Sequence, residues 1–155
     1  MGLSRGEEMN KESIPFWLKN GIIRNRQRDN EKIMSMIHSA EVNVKVTKNI
    51  SINEDTATLI FRETYESIRQ LGDARWWLWG YEPQNHEISM EALKDFDIKE
   101  KVKLNSLTRI KKIRHDINYR GFRASIAQAK EILEFWDLCG REILDMLKKE
   151  MNPKQ

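Results

Sequence analysis

Cysteine is nearly absent from this chain: Cys139 is the single one among 155 residues. One thiol closes no disulfide, so nothing ties the fold to an oxidising compartment. Its place in an apolar helical pattern assigns it to core packing. Histidine is almost as scarce. His38, His86 and His115 make no i,i+4 pair with one another or with the cysteine, and the ligand spacing of a metal site is missing. There is no glycine-rich phosphate loop and no serine set beside a matching base, so neither a P-loop motif nor a hydrolase triad can be drawn. No cofactor and no metal are implied. No stretch approaches the ~18 consecutive apolar residues that a membrane span requires. Met1 to Asn10 mixes Arg and Glu without an apolar segment, unlike a signal peptide. The expectation is a cytoplasmic protein without a membrane partner.

Charge is abundant and unevenly spread. Residues 99–123 hold nine Lys and Arg against two acids, Glu100 and Asp116, a local net charge of +7. The whole chain carries +3, so everything outside the segment sums to −4. A cationic segment is usually the solvated face of a helix. Concentration on this scale is also the electrostatic footprint of a polyanion partner.

Apolar residues at three-and-four spacing dominate the remainder, and no strand or internal repeat is evident. Asp29 reads as the cap of a helix running through Ile33, Met36, Ile37, Ala40, Val44 and Val46 and fading near Ile50. Asn53 reads as the cap of a second, with stripe Ala57, Ile60, Phe61, Thr64, Ile68, Leu71 and Leu78, stopped by Gly80. Gly72 inside it costs about 1 kcal/mol relative to Ala, which points to close packing or a bend. Residues 81–85 read as a loop and 88–96 as a short third helix. A fourth helix begins near Lys101, buries Leu104, Leu107, Ile110 and Ile117, and ends at Gly121. Ser125 to Gln128 is a capping-box sequence opening the last helix, whose stripe runs Ile126, Ala129, Leu133, Trp136, Cys139, Ile143 and Leu147. Residues 1–13 are expected to form a mobile arm and 14–150 a single domain, with Ile14 to Leu18 docking on its body. The architecture expected is all-α, an antiparallel up-and-down bundle of four to five helices.

Two groups of residues invite a chemical reading. Trp76, Trp77 and Trp79 spread around more than half a helix circumference, so burial explains them better than a base-stacking platform. The other group is Arg114-His115-Asp116-Ile117-Asn118-Tyr119-Arg120-Gly121. Arg114 and Tyr119 stand about 140° apart on an ideal helix, but loosening ahead of Gly121 would let both face one groove. Arginine keeps its charge and forks onto phosphate oxygens. Cleavage of RNA by 2′-hydroxyl attack needs such a cation at the developing phosphorane, together with a proton acceptor and donor. Arg114 would supply the first and His115 or Tyr119 the second, although a phenol, with a usual pKa of about 10, is a poor base at neutral pH.

At these residues the chain resembles the HEPN family (higher eukaryotes and prokaryotes nucleotide-binding domain). That family is a small helical bundle whose fourth helix ends in Arg, a polar residue, a few further positions and then His. Arg114 to Tyr119 fits that register, with Tyr119 standing where the family has His. A second register pairs Arg109 with His115 at a looser spacing that the family also uses, but places them about 240° apart. Glu63 to Ile68 and the Gly80-Tyr81-Glu82-Pro83 turn also look like small archaeal members, and the likeness covers about residues 14–148.

The resemblance implies an RNA- or nucleotide-binding protein with weak or absent ribonuclease activity. Arg114 would contact phosphate, and Arg109, Lys111, Lys112, Arg120 and Arg123 would form a sequence-independent cationic rim. It further implies a homodimer that joins two Arg motifs across a two-fold axis. Two alternatives stay open. One is the partner-binding half of a toxin–antitoxin pair with a minimal nucleotidyltransferase. The other is an active metal-independent endoribonuclease acting on single-stranded RNA through Arg114, His115 and Tyr119. Simple soluble surface, with Arg114 paired to Asp116, is the plain alternative.

Overall fold

The computed structural model describes residues 13–152, and the fold over them is mostly helical. The arm expected over residues 1–13 lies outside them apart from Ser13. Helix α1 spans Ser13–Lys19, and strand β1 (Ile23–Asn25) follows it. The long helices α2 (Asn30–Thr47) and α3 (Ala57–Leu78) make the most extensive packing contact in the molecule. Strand β2 (Tyr81–Pro83) and the short helix α4 (His86–Glu91) lead to a 3-10 segment, Lys101–Asn105, and to α5 (Ser106–Arg120). Helix α6 (Ile126–Phe135) continues through a π-helical turn, Trp136–Gly140, into α7 (Arg141–Met151).

Local chemistry accounts for most of these boundaries. Asp29 adopts an extended backbone and its carboxylate accepts from the Lys32 amide at 3.1 Å, which caps α2. Asn53, expected to cap α3, instead closes a turn just ahead of it, its side chain accepting from the amides of Asp55 and Thr56, and Thr56 holds the cap position. Gly80 and Gly121 follow α3 and α5 with φ of 89° and 68°, left-handed values that a side chain would resist. The capping box at Ser125 and Gln128 is formed in both directions.

One apolar core joins α2, α3, α5, α6 and α7. Ile33, Ile37, Phe61, Ile68, Leu71, Leu107, Ile110, Cys139 and Leu147 are all essentially inaccessible, and each larger aliphatic or aromatic side chain among them contributes about 1.5–3 kcal/mol of hydrophobic stabilisation. Helix α5 buries Leu107, Ile110 and Ile117 in this core and packs the half-buried Ile113 against it. A second, smaller core gathers Trp76, Ile23, Ile88 and Ala92, with Trp17 edge-on to Trp76 at 5.8 Å between ring centroids. Trp76 also donates its indole N–H to the Ile88 carbonyl at 2.7 Å, so the tryptophans of α3 serve packing.

Four further expectations need correction. Two three-residue strands exist, paired antiparallel with Ile23 opposite Pro83 and Asn25 opposite Tyr81; segments this short show no period-two pattern. The third helix starts two residues early, because Asn85 caps it, and stops at Glu91. There Arg75 donates to the Ala92 carbonyl and to Asp95, occupying an acceptor that a further turn would use. Residues 101–105 are 3-10 rather than α-helix. Val46, counted in the apolar stripe of α2, is exposed in the last turn of that helix.

Candidate functional site

Three elements enclose an open cleft of about 760 Å³. Its volume lies in the range of small-ligand sites, ~300–1,000 Å³. Helix α3 contributes the buried Tyr65, the start of α4 contributes Asn85, His86 and Glu87, and α5 contributes a full face. That face comprises Thr108, Lys111, Lys112, Arg114, His115, Asn118 and Tyr119. The spacing from Lys111 through Arg114, His115 and Asn118 is i, i+3, i+4, i+7, a single stripe of a regular helix. No loosening before Gly121 is needed to bring these groups together.

Contacts along the stripe organise it. The Arg114 guanidinium lies 5.3 Å from the centre of the Tyr65 ring, a cation–π approach. With the Asn118 amide turned so that its oxygen faces these donors, that oxygen accepts from both terminal nitrogens of Arg114, at 2.6 and 3.0 Å. The rings of His115 and Tyr119, one helical turn apart, stand 4.7 Å apart between centroids at 41°. Tyr119 is largely exposed at the rim.

Behind the cleft lies an ionic cluster on α3. Arg69 grips Glu66 with two nitrogens and reaches Asp73 with a third, and Asp73 in turn accepts from the Ser89 hydroxyl of α4. The Arg69 hydrogen bonds hold the Glu66 carboxyl below its ordinary range, against the opposing effect of burial. Burial pushes Asp73 up, and the Arg69 charge opposes that shift. Tyr65 is likewise raised by burial, with Arg114 and Arg69 pulling the other way. His86 is lowered, first by partial desolvation and then by the charges of Arg69 and Arg114. At neutral pH its imidazole is therefore predominantly uncharged.

The residues singled out in the sequence divide into two sets. Arg114, His115, Tyr119, Lys111 and Lys112 share the cleft. Arg109 instead faces α6, where its guanidinium meets Glu131 at 3.0 Å. Arg120 lies 3.8 Å from Asp116, so that acid belongs to Arg120 and not to Arg114. Arg123 donates to the Asp55 carbonyl at 3.2 Å. Among the described residues, Arg114, Lys111 and Lys112 form no ion pair with any carboxylate.

Tyr65, Asn85, His86, Glu87, Thr108 and Asn118 are the residues of the cleft that sequence reasoning did not select. Asn118 is legible as the i+4 neighbour of Arg114, and Tyr65 as part of the inward stripe of α3. Nothing local marks His86; it arrives because Gly72 lets α4 lie against α3 and because β1 pins β2. A Cβ on Gly72 would fall 2.0 Å from the Ser89 carbonyl oxygen, so only glycine admits that approach. The Gln84 amide, bonded to the Ile22 carbonyl at 2.9 Å, fixes the chain two residues before His86.

Among the described residues, no three His, Cys, Asp or Glu side chains are grouped so as to hold a metal ion, and no helix is long and apolar enough to cross a membrane. No family model, curated protein or solved structure matches the chain.

Proposed function

We propose that the protein binds single-stranded RNA, or the phosphate of a nucleotide, in the cleft between α4 and α5. The observation that carries this reading is a set of three cations, Lys111, Lys112 and Arg114, presented to an open cleft without a carboxylate partner among the described residues. Elsewhere on the basic segment Arg109 and Arg120 meet carboxylates and Arg123 a carbonyl, while Lys99, Lys101 and Lys103 lie outside this cleft. Arg114 is also oriented, by Tyr65 on one side and Asn118 on the other, which suits a guanidinium awaiting a phosphate. The His115–Tyr119 pair offers a flat aromatic surface beside it for a base.

A mostly helical fold with this motif at the end of α5 is what supports assigning the chain to the HEPN type of up-and-down bundle. In that arrangement two chains pair across α5, and exposed Tyr119 and Phe122 would lie in or beside the joint cleft. Light scattering on the purified protein checks the pairing: a monomer at working concentration contradicts it.

Binding is tested by fluorescence anisotropy with a labelled single-stranded RNA. With about three phosphate contacts, log K should fall with log salt at a slope near −2, so a fourfold rise in salt should weaken binding by about 20-fold. Arg114→Ala should abolish most of the affinity, whereas Arg109→Ala should leave it nearly unchanged. Competition by a mononucleotide separates nucleotide binding from recognition of the chain. Affinity indifferent both to salt and to Arg114→Ala refutes the reading.

A further inference from the structure

The cleft carries free charge of both signs, on different walls. Lys111, Lys112 and Arg114 stand on α5, whereas Glu87 stands on α4 and is the one carboxylate among the described residues lining the cleft. Glu87 is exposed and, among the described residues, makes no hydrogen bond and no ion pair. Both signs reach the Tyr65 phenol between them. Burial pushes that phenol up; beyond burial, Arg114 pulls it down and Glu87 pushes it up. An acid in the first turn of a helix ordinarily answers to the helix dipole. Helix α4 has only six residues, however, and its acid leaves three cations of the same cleft unpaired.

We infer that the cleft selects guanine. The phosphate of a guanine nucleotide, free or within single-stranded RNA, lies on Arg114, Lys111 and Lys112, and Glu87 reads the Watson–Crick edge of the base. The inference rests on the binding reading above and deepens it by naming the base and the residue that chooses it.

Guanine is the RNA base whose Watson–Crick edge carries two adjacent donors, N1–H and the N2 amine, spaced to meet the two oxygens of a carboxylate. Hydrogen bonds to an ionised acceptor are about twice as strong as neutral ones. The other bases each set an acceptor against the carboxylate. Adenine and cytosine offer one amine beside a ring nitrogen lone pair, and uracil one N–H between two carbonyls. Bases of single strands are recognised in this manner, stacked on an aromatic ring and hydrogen-bonded along an edge. The largely exposed Tyr119 ring, packed against His115, offers the stacking surface on the α5 side. A nucleotide holds its phosphate and the far edge of its base a ribose and a ring apart. The reading carboxylate therefore belongs on a different wall from the phosphate-binding cations, and an ion pair between the two would close the site. The oxygen of Asn85, next to Glu87, already accepts from the Ile88 amide at 2.8 Å.

The test is displacement of a labelled single-stranded RNA containing guanosine from the full chain, read by fluorescence anisotropy, with GMP, IMP, AMP, CMP and UMP as competitors. GMP should compete about tenfold or more better than AMP, CMP or UMP. IMP, which lacks the N2 amine, should fall between GMP and AMP. In Glu87→Gln the advantage of GMP over AMP should shrink below about threefold, while AMP binds at least as well as before, since a negative charge has left the cleft. Arg114→Ala should weaken all the nucleotides alike. A role for Glu87 in structure or in general electrostatics would shift every nucleotide together and keep their ratios, which overturns the inference. Direct binding of an all-adenosine RNA and of the same RNA with one guanosine separates the two sources of the ligand. A guanosine preference seen in RNA but not among mononucleotides assigns the site to the chain. If RNA or nucleotides bind through Arg114 without base preference, or the preference survives Glu87→Gln, the inference is overturned and the binding reading stands. If neither RNA nor any nucleotide binds, the binding reading fails and the inference with it. Circular dichroism melts establish that Glu87→Gln, an isosteric change at an exposed position, is folded.

Discussion

Replacing Gly72 by alanine sets two physical effects of opposite sign against each other. In the interior of α3, alanine is favoured over glycine by about 1 kcal/mol, because glycine loses more backbone entropy on folding. If propensity decided the outcome, the variant would be more stable. The structure reverses that sign. The new methyl would lie 2.0 Å from the Ser89 carbonyl oxygen and 2.8 Å from its carbon, both backbone atoms of α4. Real contacts of this kind stay beyond about 3 Å, so α4 has to withdraw by about 1 Å or more. Overpacking of this sort costs about 1–3 kcal/mol. Withdrawal also stretches the bonds from Trp76 to the Ile88 carbonyl and from Ser89 to Asp73, and each such bond contributes about 1 kcal/mol. The net expectation is a destabilisation of roughly 1–3 kcal/mol, or a fall in Tm of about 2–10 °C for a chain of this length. Thermal melts followed by circular dichroism and by tryptophan fluorescence read it directly. Since α4 carries His86, RNA affinity should change as well, which a purely local defect would not produce. A variant with unchanged or raised Tm would refute the close approach of α4 to α3, and with it the placing of His86.

Other perturbations follow from the same geometry. Arg69→Gln should weaken RNA binding about fivefold, roughly 1 kcal/mol, although Arg69 does not line the cleft, because Glu66 and Asp73 lose their cation and compete for Arg114; the same change should raise the His86 titration seen by NMR. Asp95→Ala should cost about 3–5 kcal/mol, since it removes the carboxylate from a nearly inaccessible ion pair of 2.8 Å; a urea midpoint close to the wild-type value contradicts this. The Cys139 thiol, buried and pushed up to about 11, should resist alkylation at pH 8 in the native protein and react on unfolding. His86 contributes stability that is fully present above its unfolded pKa, near 6.5, and is lost as pH falls through its lower folded value. Urea melts from pH 7 to 5 should therefore decline less steeply in His86→Gln than in the wild type.

The sequence was most legible where a single helix carries the information. Asp29, Ser125 with Gln128, Gly80 and Gly121 announce helix boundaries through local hydrogen bonds and left-handed backbone, and such signals do not depend on the rest of the fold. The apolar stripes of α3 and α5 name their own buried residues for the same reason. The short strands were not legible, because three residues display no alternation and their pairing joins positions about sixty apart in the chain. The cationic rim was legible only in part. Arg109 and Arg123 stand in the same basic run as Lys111 and Arg114, and which of them remain free depends on acceptors supplied by α6 and by the turn before α3.

The electrostatics of the cleft make the same point about long-range assembly. A net charge of +7 along residues 99–123 would suggest a broad cationic surface, yet the fold sorts those charges one by one. Glu131 takes Arg109, Asp116 takes Arg120, and the two acids of α3 nearest the cleft are both engaged by Arg69. Arg69 thus acts at a distance: it engages Glu66 and Asp73, and its own charge offsets the pull of those two acids on His86. The result is a focused site, with one oriented guanidinium, two lysines and an uncharged imidazole around an open volume. Under the proposed reading, phosphate binding draws on the first three groups. Because Arg114 lines the cleft while Arg109 is paired with Glu131 of α6, single substitutions can separate a focused site from a diffuse one. A diffuse basic surface would lose affinity by similar small steps at each cation, whereas this arrangement requires unequal losses from Arg114 and Arg109 even though they lie on the same helix.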